Sequence, residues 1–96
     1  MRMNPEKVLT IAIPAYNASK FLPKCLQSLV DSNELERMEV LVIDDGSKES
    51  QDEVVRPYID RFPQSIQMIH KENGGHGSVI NKAAEIATGK YLKILD

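Results

Sequence analysis

Residues 39–47 read EVLVIDDGS, and this stretch decides the fold class. Its first part, residues 39–43, is an apolar run rich in β-branched side chains, which predicts a short strand. The run ends in Asp44, Asp45, Gly46 and Ser47, a composition typical of a turn. The stretch therefore predicts a buried strand that brings two neighbouring carboxylates to its carboxyl end.

Strand-like and helix-like segments alternate on both sides of this stretch. Apolar runs predict further strands over residues 8–14, 65–70 and 91–95. Apolar side chains at helical spacing predict helices over residues 19–30, 50–61 and 78–88, with Pro57 expected to kink or shorten the second. The order β-α-β-α-β-α-β is typical of an α/β fold with a mostly parallel sheet and right-handed crossovers. Residues 31–39 are polar and predict a surface connection.

Length and composition limit the classes of protein to be considered. The chain has 96 residues, of which 42% are hydrophobic and 27% charged, as expected for one folded domain. Its formal net charge of -2 gives no support for a nucleic-acid-binding surface. The single cysteine, Cys25, excludes an internal disulfide and a Cys-ligated zinc site, and it lies on the apolar stripe of the first helix. We expect a cytoplasmic protein, because no apolar run approaches a membrane span or a signal peptide.

The chain stops at Asp96, directly after the fourth predicted strand. A parallel sheet is normally covered on both faces, so another helix would be expected after this strand. We therefore interpret residues 1–96 as the N-terminal part of a single longer domain. A small natural domain with its last strand at a sheet edge is the alternative. An uncovered edge would promote self-association into a homo-oligomer.

Unusual residues follow the predicted strands at their carboxyl ends, where ligands bind in such sheets. Tyr16 follows the first strand, and its ring can stack on a nucleobase or pack on the first helix. Asp44 and Asp45 can accept hydrogen bonds from a base or a ribose, but they also fit an ordinary turn. Asp96 follows the fourth strand and can ligate a hard cation such as Mg²⁺ or Mn²⁺.

The glycine-rich loop at residues 74–77 reads GGHG and precedes a predicted helix. Backbone N–H groups at a helix N-terminus suit an anion, although a flexible loop fits the composition equally well. The spacing matches neither the dinucleotide-binding fingerprint nor the phosphate loop of P-loop proteins. His76 in this loop does not indicate a metal site, because a metal cluster needs more ligands than this histidine supplies.

Taken in order, these motifs resemble the N-terminal, nucleotide-binding half of family 2 glycosyltransferases. The resemblance covers nearly the whole chain. The matching segments are IAIPAYN at residues 11–17, CLQSL at 25–29, VIDDGS at 42–47, ENGG at 72–75, ATGKYL at 87–92 and LD at 95–96. The resemblance implies a Rossmann-like GT-A fold, with helices on both faces of a mostly parallel sheet that is truncated after the fourth strand.

The resemblance also implies the roles of particular residues in binding a nucleotide-diphospho-sugar. The expected nucleotide contacts are Pro14, Tyr16, Asn17, Asp44, Asp45, Gly75 and Asn81. Ile80 stands where the family has an arginine beside that asparagine, so a cationic contact from this helix is in doubt. Asp96 resembles the first aspartate of the family's metal-binding DxD motif, which implies Mn²⁺ or Mg²⁺ as cofactor.

The implied reaction is inverting transfer of a sugar to an acceptor hydroxyl, with a metal that stabilises the leaving nucleotide diphosphate. UDP is the expected nucleotide, with GDP and dTDP left open, and the acceptor is an unknown saccharide or lipid-linked saccharide. The general base of the family lies beyond Asp96, so this chain alone is expected to be inactive. Membrane association through the rest of the protein or through the acceptor is left open.

Two alternatives share the fold class. A non-catalytic nucleotide-binding or regulatory module is the first, but a phosphoacceptor receiver domain would have its acids after the first and third strands. A sugar nucleotidyltransferase is the second, but it would carry a basic glycine-rich loop after the first strand. Here the first strand is followed by Ala15, Tyr16 and Asn17 instead.

Overall fold

The computed structural model describes residues 7–95 and confirms the predicted alternation of strands and helices. The elements in chain order are β1 (Leu9–Ala15), α1 (Leu22–Asp31), a 3₁₀ turn (Leu35–Arg37), β2 (Met38–Asp45), α2 (Asp52–Arg61), β3 (Ile66–Lys71), α3 (His76–Ile86) and β4 (Tyr91–Ile94). In residues 7–95, no helix is long and apolar enough to cross a membrane.

The four strands form one parallel sheet in the order β3-β2-β1-β4. The chain steps from β1 to β2 to β3 in one direction and then returns across the sheet to β4 on the other side of β1. Right-handed crossovers place α1 and α2 on one face, and the reversal of direction places α3 on the opposite face. The predicted parallel sheet with helices on both faces is confirmed.

Each face of the sheet has its own apolar core, because successive strand residues point to opposite faces. On the first face, Ile13 and Val42 pack with Leu26 of α1 and Val55 of α2. The second face is built by Ala12, Leu41 and Ile43 of the sheet and by Val79 and Ala83 of α3. Burial on both faces explains why β1 and β2 read as continuous apolar runs rather than as alternating ones.

Several element boundaries differ from the sequence prediction. Helix α1 begins at Leu22 rather than at residue 19, after a turn in which Phe21 N donates to Ala18 O. Helix α3 begins at His76 rather than at residue 78, so half of the GGHG loop is helical. The loop turns at Gly75, whose φ of 87° lies in the left-handed region that favours glycine.

Two other segments differ in part from the sequence prediction. Helix α2 begins at Asp52 and continues past Pro57 to Arg61, with the exposed proline inside it. The predicted surface connection at residues 31–39 is only partly exposed, because Leu35 and Glu39 are both buried. Leu35 anchors the 3₁₀ turn in the first core, and Glu39 belongs to β2.

Candidate functional site

A cavity of about 410 Å³ lies between the carboxyl ends of β1 and β2 and the first turns of α3. Its lining residues are Pro14, Ala15, Tyr16, Asp45, Asn73, Gly75, His76 and Val79, and we call it the strand-end cavity. It lies at the end of β1, beside the point where the strand order reverses between β1 and β4. Open α/β sheets bind ligands at such a reversal. Four of the predicted nucleotide contacts, Pro14, Tyr16, Asp45 and Gly75, line this one cavity.

Asp45 is the last residue of β2 and is held by three donors. Its Oδ1 accepts hydrogen bonds from Lys71 Nζ at 2.9 Å and from Gly74 N at 2.9 Å. Its Oδ2 accepts one from Gly75 N at 3.0 Å. In this structure the two glycine amides therefore bind the chain's own carboxylate. Burial would raise the pKa of Asp45, but the hydrogen bonds from Lys71 and the glycine amides, together with the Lys71 charge, lower it below its usual value.

Asp44 lies beside Asp45 and is held within the protein. Its Oδ1 accepts from Ser47 N at 3.0 Å and from Gln51 Nε2 at 3.2 Å, and its Oδ2 lies 3.2 Å from His70 Nδ1. Burial would raise the pKa of Asp44, but the hydrogen bonds from Ser47 and His70 lower it. Asp44 is absent from the lining of the strand-end cavity, and its contacts hold the turn after β2.

The predicted turn begins later than expected, because β2 includes both aspartates. The parallel register pairs Asp44 with His70 and Asp45 with Lys71. Each carboxylate thus meets a nitrogen-bearing side chain at the same level of the neighbouring strand. The chain then turns at Gly46, whose φ is 73°.

The loop after β3 packs tightly on this turn. A Cβ on Gly46 would lie 2.7 Å from Asn73 N, closer than real contacts of this kind. Asn73 Nδ2 also donates to Asp45 O at 2.9 Å. Gly46 is therefore required both by its positive φ and by the close approach of the loop.

Two aromatic side chains form the open part of the strand-end cavity. Tyr16 is 48% exposed directly after β1, and His76 is exposed at the first position of α3. An exposed ring that is not required by the core is available to stack on a planar ligand. The sequence does not indicate a metal cluster at His76. The fold brings this side chain to the same cavity as Tyr16.

Two other predicted site residues, Asn17 and Asn81, are absent from the lining of the strand-end cavity. Asn17 lines a neighbouring cavity and joins two loops, because its N–H donates to Ser47 Oγ at 2.9 Å and its Oδ1 accepts from Lys48 N at 3.3 Å. Its φ of 51° is one that asparagine tolerates. Asn81 is exposed on α3 and is absent from the cavity lining. Asp96 lies outside the described residues.

Sequence reasoning missed Lys71, Asn73 and Ser78 as parts of the site. Lys71 and Asn73 contact Asp45 directly, and Ser78 accepts a hydrogen bond from Lys71 Nζ at 2.8 Å. The signal was the pair His70-Lys71, two basic residues at the end of the third predicted strand. Their pairing with Asp44 and Asp45 can be recognised only when the register between β2 and β3 is known.

The described residues do not form a metal site on their own. Across residues 7–95, no group of three or more His, Cys, Asp and Glu side chains is arranged to hold a metal ion. The predicted ligand, Asp96, follows Leu95, whose N–H donates to Ala12 O of β1 at 2.9 Å.

Comparison with known proteins decides the family. Residues 10–96 match the family described as Glycosyl transferase family 2. The chain belongs to glycosyl transferase family 2. This membership favours the glycosyltransferase interpretation over the regulatory-module and nucleotidyltransferase alternatives.

A curated relative agrees with this family 2 assignment. An uncharacterised glycosyltransferase of Mycoplasma pneumoniae is 36% identical over 97 residues, which cover 98% of this chain and 32% of the relative. The chain thus spans about a third of the length of this relative.

Solved structures support the GT-A fold of this family 2 chain. Staphylococcus aureus TarS, residues 1–349, superposes with a TM-score of 0.78 at 26% identity, over 93% of this chain and 27% of that one. The mannosyltransferase PcManGT of Pyrobaculum calidifontis, in complex with GDP-Man and Mn²⁺, gives a TM-score of 0.77 at 23% identity. That match covers 88% of this chain and 25% of the mannosyltransferase.

Proposed function

We propose that the protein carrying this chain transfers a sugar, with inversion, from a nucleotide-diphospho-sugar to an acceptor hydroxyl. In this proposal residues 1–96 are the N-terminal part of one GT-A domain, and the strand-end cavity binds the nucleotide. The observation that carries the proposal is the cavity itself. It combines the exposed Tyr16 ring with the Asp45 carboxylate at the strand-order reversal of a family 2 chain.

The chemistry of the cavity suits a nucleoside. Tyr16 supplies a face for the base, and stacking of this kind is worth about 1–3 kcal/mol. Each carboxylate oxygen has two lone pairs, and Asp45 Oδ2 accepts from only one donor among the described residues, Gly75 N. Asp45 can therefore accept one more hydrogen bond, from a base N–H or a ribose hydroxyl. Pro14 and Gly75 shape the cavity beside these two side chains.

The other predicted nucleotide contacts lie outside the lining of the strand-end cavity, and we propose supporting or more distant roles for them. Asn17 holds the loop that carries Tyr16, through its contacts with Ser47 and Lys48. Asp44 holds the turn after β2. Asn81 is exposed on α3 and is available to the part of the donor that extends past the cavity.

A divalent cation, Mn²⁺ or Mg²⁺, is proposed as the cofactor, with Asp96 as its first protein ligand. Such a cation would neutralise charge on the departing nucleotide diphosphate. The mannosyltransferase of the same fold, with GDP-Man and Mn²⁺, motivates including both in the test. The general base is proposed to lie beyond Asp96, so that residues 1–96 alone transfer no sugar. The proposed compartment is the cytoplasm, where nucleotide-sugars are available.

The test is an amide NMR titration of the purified chain with UDP, GDP, dTDP, ATP and GDP-mannose, each with and without Mn²⁺ or Mg²⁺. Because Mn²⁺ broadens signals, Mg²⁺ is used for shifts and Mn²⁺ for relaxation. The proposal expects saturable shifts at Tyr16 and Asn73 with one diphosphate, lost in Asp45→Ala. Asp31→Ala is the matched control, because Asp31 is exposed and accepts a hydrogen bond from Gln27 Nε2 on its own helix.

Three results would count against the proposal. Dispersed spectra with no shift for any nucleotide would show that the folded chain lacks the site. Shifts confined to residues outside the strand-end cavity would move the nucleotide elsewhere. A preference for ATP without any diphosphate response would favour the nucleotidyltransferase alternative, because that reaction consumes a nucleoside triphosphate.

A further inference from the structure

Lys71 is the last residue of β3, and its ammonium group is enclosed at the base of the loop that follows. The side chain is 17% exposed. Its Nζ donates to Asp45 Oδ1 at 2.9 Å, to Ser78 Oγ at 2.8 Å and to Glu72 O. An ammonium group has three N–H donors, and these contacts use all three. Lys71 thus has no donor left for a ligand and can act on one only through its partners.

The lysine decides which oxygen of Asp45 is available. Lys71 and the Gly74 amide together fill both acceptor positions of Oδ1. Among the described residues, Oδ2 receives only the Gly75 amide and keeps one acceptor position. Without the ammonium group, the carboxylate would be held only by the two glycine amides, and each of its oxygens would keep one open acceptor position.

The same lysine links the loop to helix α3. Ser78 Oγ accepts from Lys71 and donates to Gly75 O at 2.7 Å. A Cβ on Gly74 would lie 2.7 Å from Ser78 Oγ, so the loop is closely packed against the serine. The end of β2, the glycine loop and the first turn of α3 are therefore joined at one ammonium group.

We infer that Lys71 is a positioning residue of the nucleotide cavity, which orients Asp45 so that Oδ2 alone accepts a single N–H or O–H donor of the nucleoside. The inference rests on the proposed function for the identity of the ligand. Its effect on Asp45 does not depend on any ligand. The effect of Lys71 on Asp45 and the recognition of the nucleoside can therefore be tested separately.

The first test needs no nucleotide. The Cγ resonance of Asp45 is followed against pH in the wild-type chain and in Lys71→Met, Lys71→Arg and Lys82→Met. Lys82 is the matched control, because it lies on α3 and forms an ion pair with the exposed Glu85 at 4.0 Å. We expect the Asp45 titration to move to higher pH in Lys71→Met, to stay close to wild type in Lys71→Arg and to be unchanged in Lys82→Met. In Lys71→Met, the Gly74 and Gly75 amides should also exchange with solvent faster than in the wild-type chain.

An Asp45 titration that is the same in Lys71→Met and in wild type would overturn the inference. This result would be decisive even if the chain bound no nucleotide. If Lys71→Met fails to fold, Ser78→Ala replaces it. That variant removes the second partner of the ammonium group, and it should raise the mobility of Gly75 without changing the charge.

The second test uses the diphosphate identified in the NMR titration and its analogue methylated at the base N–H, N3 for UDP or N1 for GDP. Loss of one charge-assisted contact network should weaken binding of the parent nucleotide about tenfold in Lys71→Met. The preference for the parent over the methylated analogue should shrink in Lys71→Met and persist in Lys71→Arg and Lys82→Met. An undiminished preference in Lys71→Met would contradict the positioning role. Absence of binding in the wild type would contradict the proposed function, and the Asp45 titration would still decide the role of Lys71.

Discussion

Glu39 and Thr88 lie 49 positions apart in the sequence and are joined by two hydrogen bonds. Thr88 N donates to Glu39 Oε1 at 2.8 Å, and Thr88 Oγ1 donates to Oε2 at 2.9 Å. Thr10 Oγ1 is the third donor to this carboxylate and binds Oε1 at 2.8 Å, and Gly89 N donates to the Thr10 hydroxyl. Glu39 is 7% exposed and lies near the amino end of β2, at the end of the sheet opposite to the strand-end cavity. It fixes the connection between α3 and β4.

Replacement of Glu39 by alanine should lower the free energy of unfolding by about 2–3 kcal/mol, because the buried hydroxyl of Thr10 and the two partly buried donors of Thr88 lose their acceptor. Urea denaturation measures this loss. Glu34→Ala is the control, because Glu34 is exposed and its partner Arg37 lies 3.9 Å away, so that its cost should stay within about 0.5 kcal/mol. Equal losses in the two variants would show that the Glu39 network contributes nothing specific.

Replacement of Tyr16 by alanine should weaken nucleotide binding about 5- to 100-fold, the equivalent of one lost base-stacking contact. Because Tyr16 is 48% exposed, the free energy of unfolding should change by no more than about 0.5 kcal/mol. Tyr16→Phe should keep most of the affinity. Tyr91→Ala is the control, since Tyr91 is 68% exposed and lies outside the cavity lining. Calorimetric titration distinguishes these outcomes, and equal affinities for the two alanine variants would remove Tyr16 from the site.

Two glycines should respond in opposite directions to alanine. Gly46→Ala should destabilise the chain by about 1–3 kcal/mol, because φ is positive there and the new Cβ would meet Asn73 N. Gly77→Ala should stabilise it by up to about 1 kcal/mol, because Gly77 lies in α3 and the added methyl group would meet no atom of the described residues within 4 Å. Thermal unfolding measures whether each variant is more or less stable than the wild-type chain. Stabilisation by Gly46→Ala would mean that the loop does not pack on the turn.

The two aspartates at the end of β2 should make the stability depend on acid pH. Their pKa values are lowered in the folded chain, so their contribution is fully present above the ordinary value of aspartate, about 3.9. It is lost as the pH falls through the lower, folded-state values. The urea concentration at the midpoint of unfolding, measured at pH 7, 5, 4 and 3, should decrease at the lowest pH values.

The control for this pH dependence is the double variant Asp44→Asn, Asp45→Asn. It should be less stable than wild type at pH 7, and the difference should narrow towards pH 3, since the other acidic groups are common to both chains. A difference that stays constant down to pH 3 would show that these carboxylates do not contribute the acid-sensitive part.

Much of the fold could be predicted from the sequence because the governing interactions are local or periodic. Apolar β-branched runs and helical spacing predicted the alternating strands and helices, and the parallel α/β class followed from them. Helix starts were less predictable. Helix α3 begins two residues early, because its start depends on the turn at Gly75 rather than on the side chain of Ser78.

The candidate site, like the fold, has one part that could be predicted from the sequence and another that could not. The sequence by itself determined that Tyr16, Asp45 and Gly75 follow strands at one edge of a parallel sheet, because strand ends in such a sheet share a side. Only the tertiary structure decided that Asp45 meets Lys71, that two glycine amides bind the same carboxylate, and that Glu39 is buried against Thr88. Those contacts join positions 26 to 49 residues apart. They depend on strand order, register and crossover direction, which are set by the packing of the whole sheet rather than by any single segment.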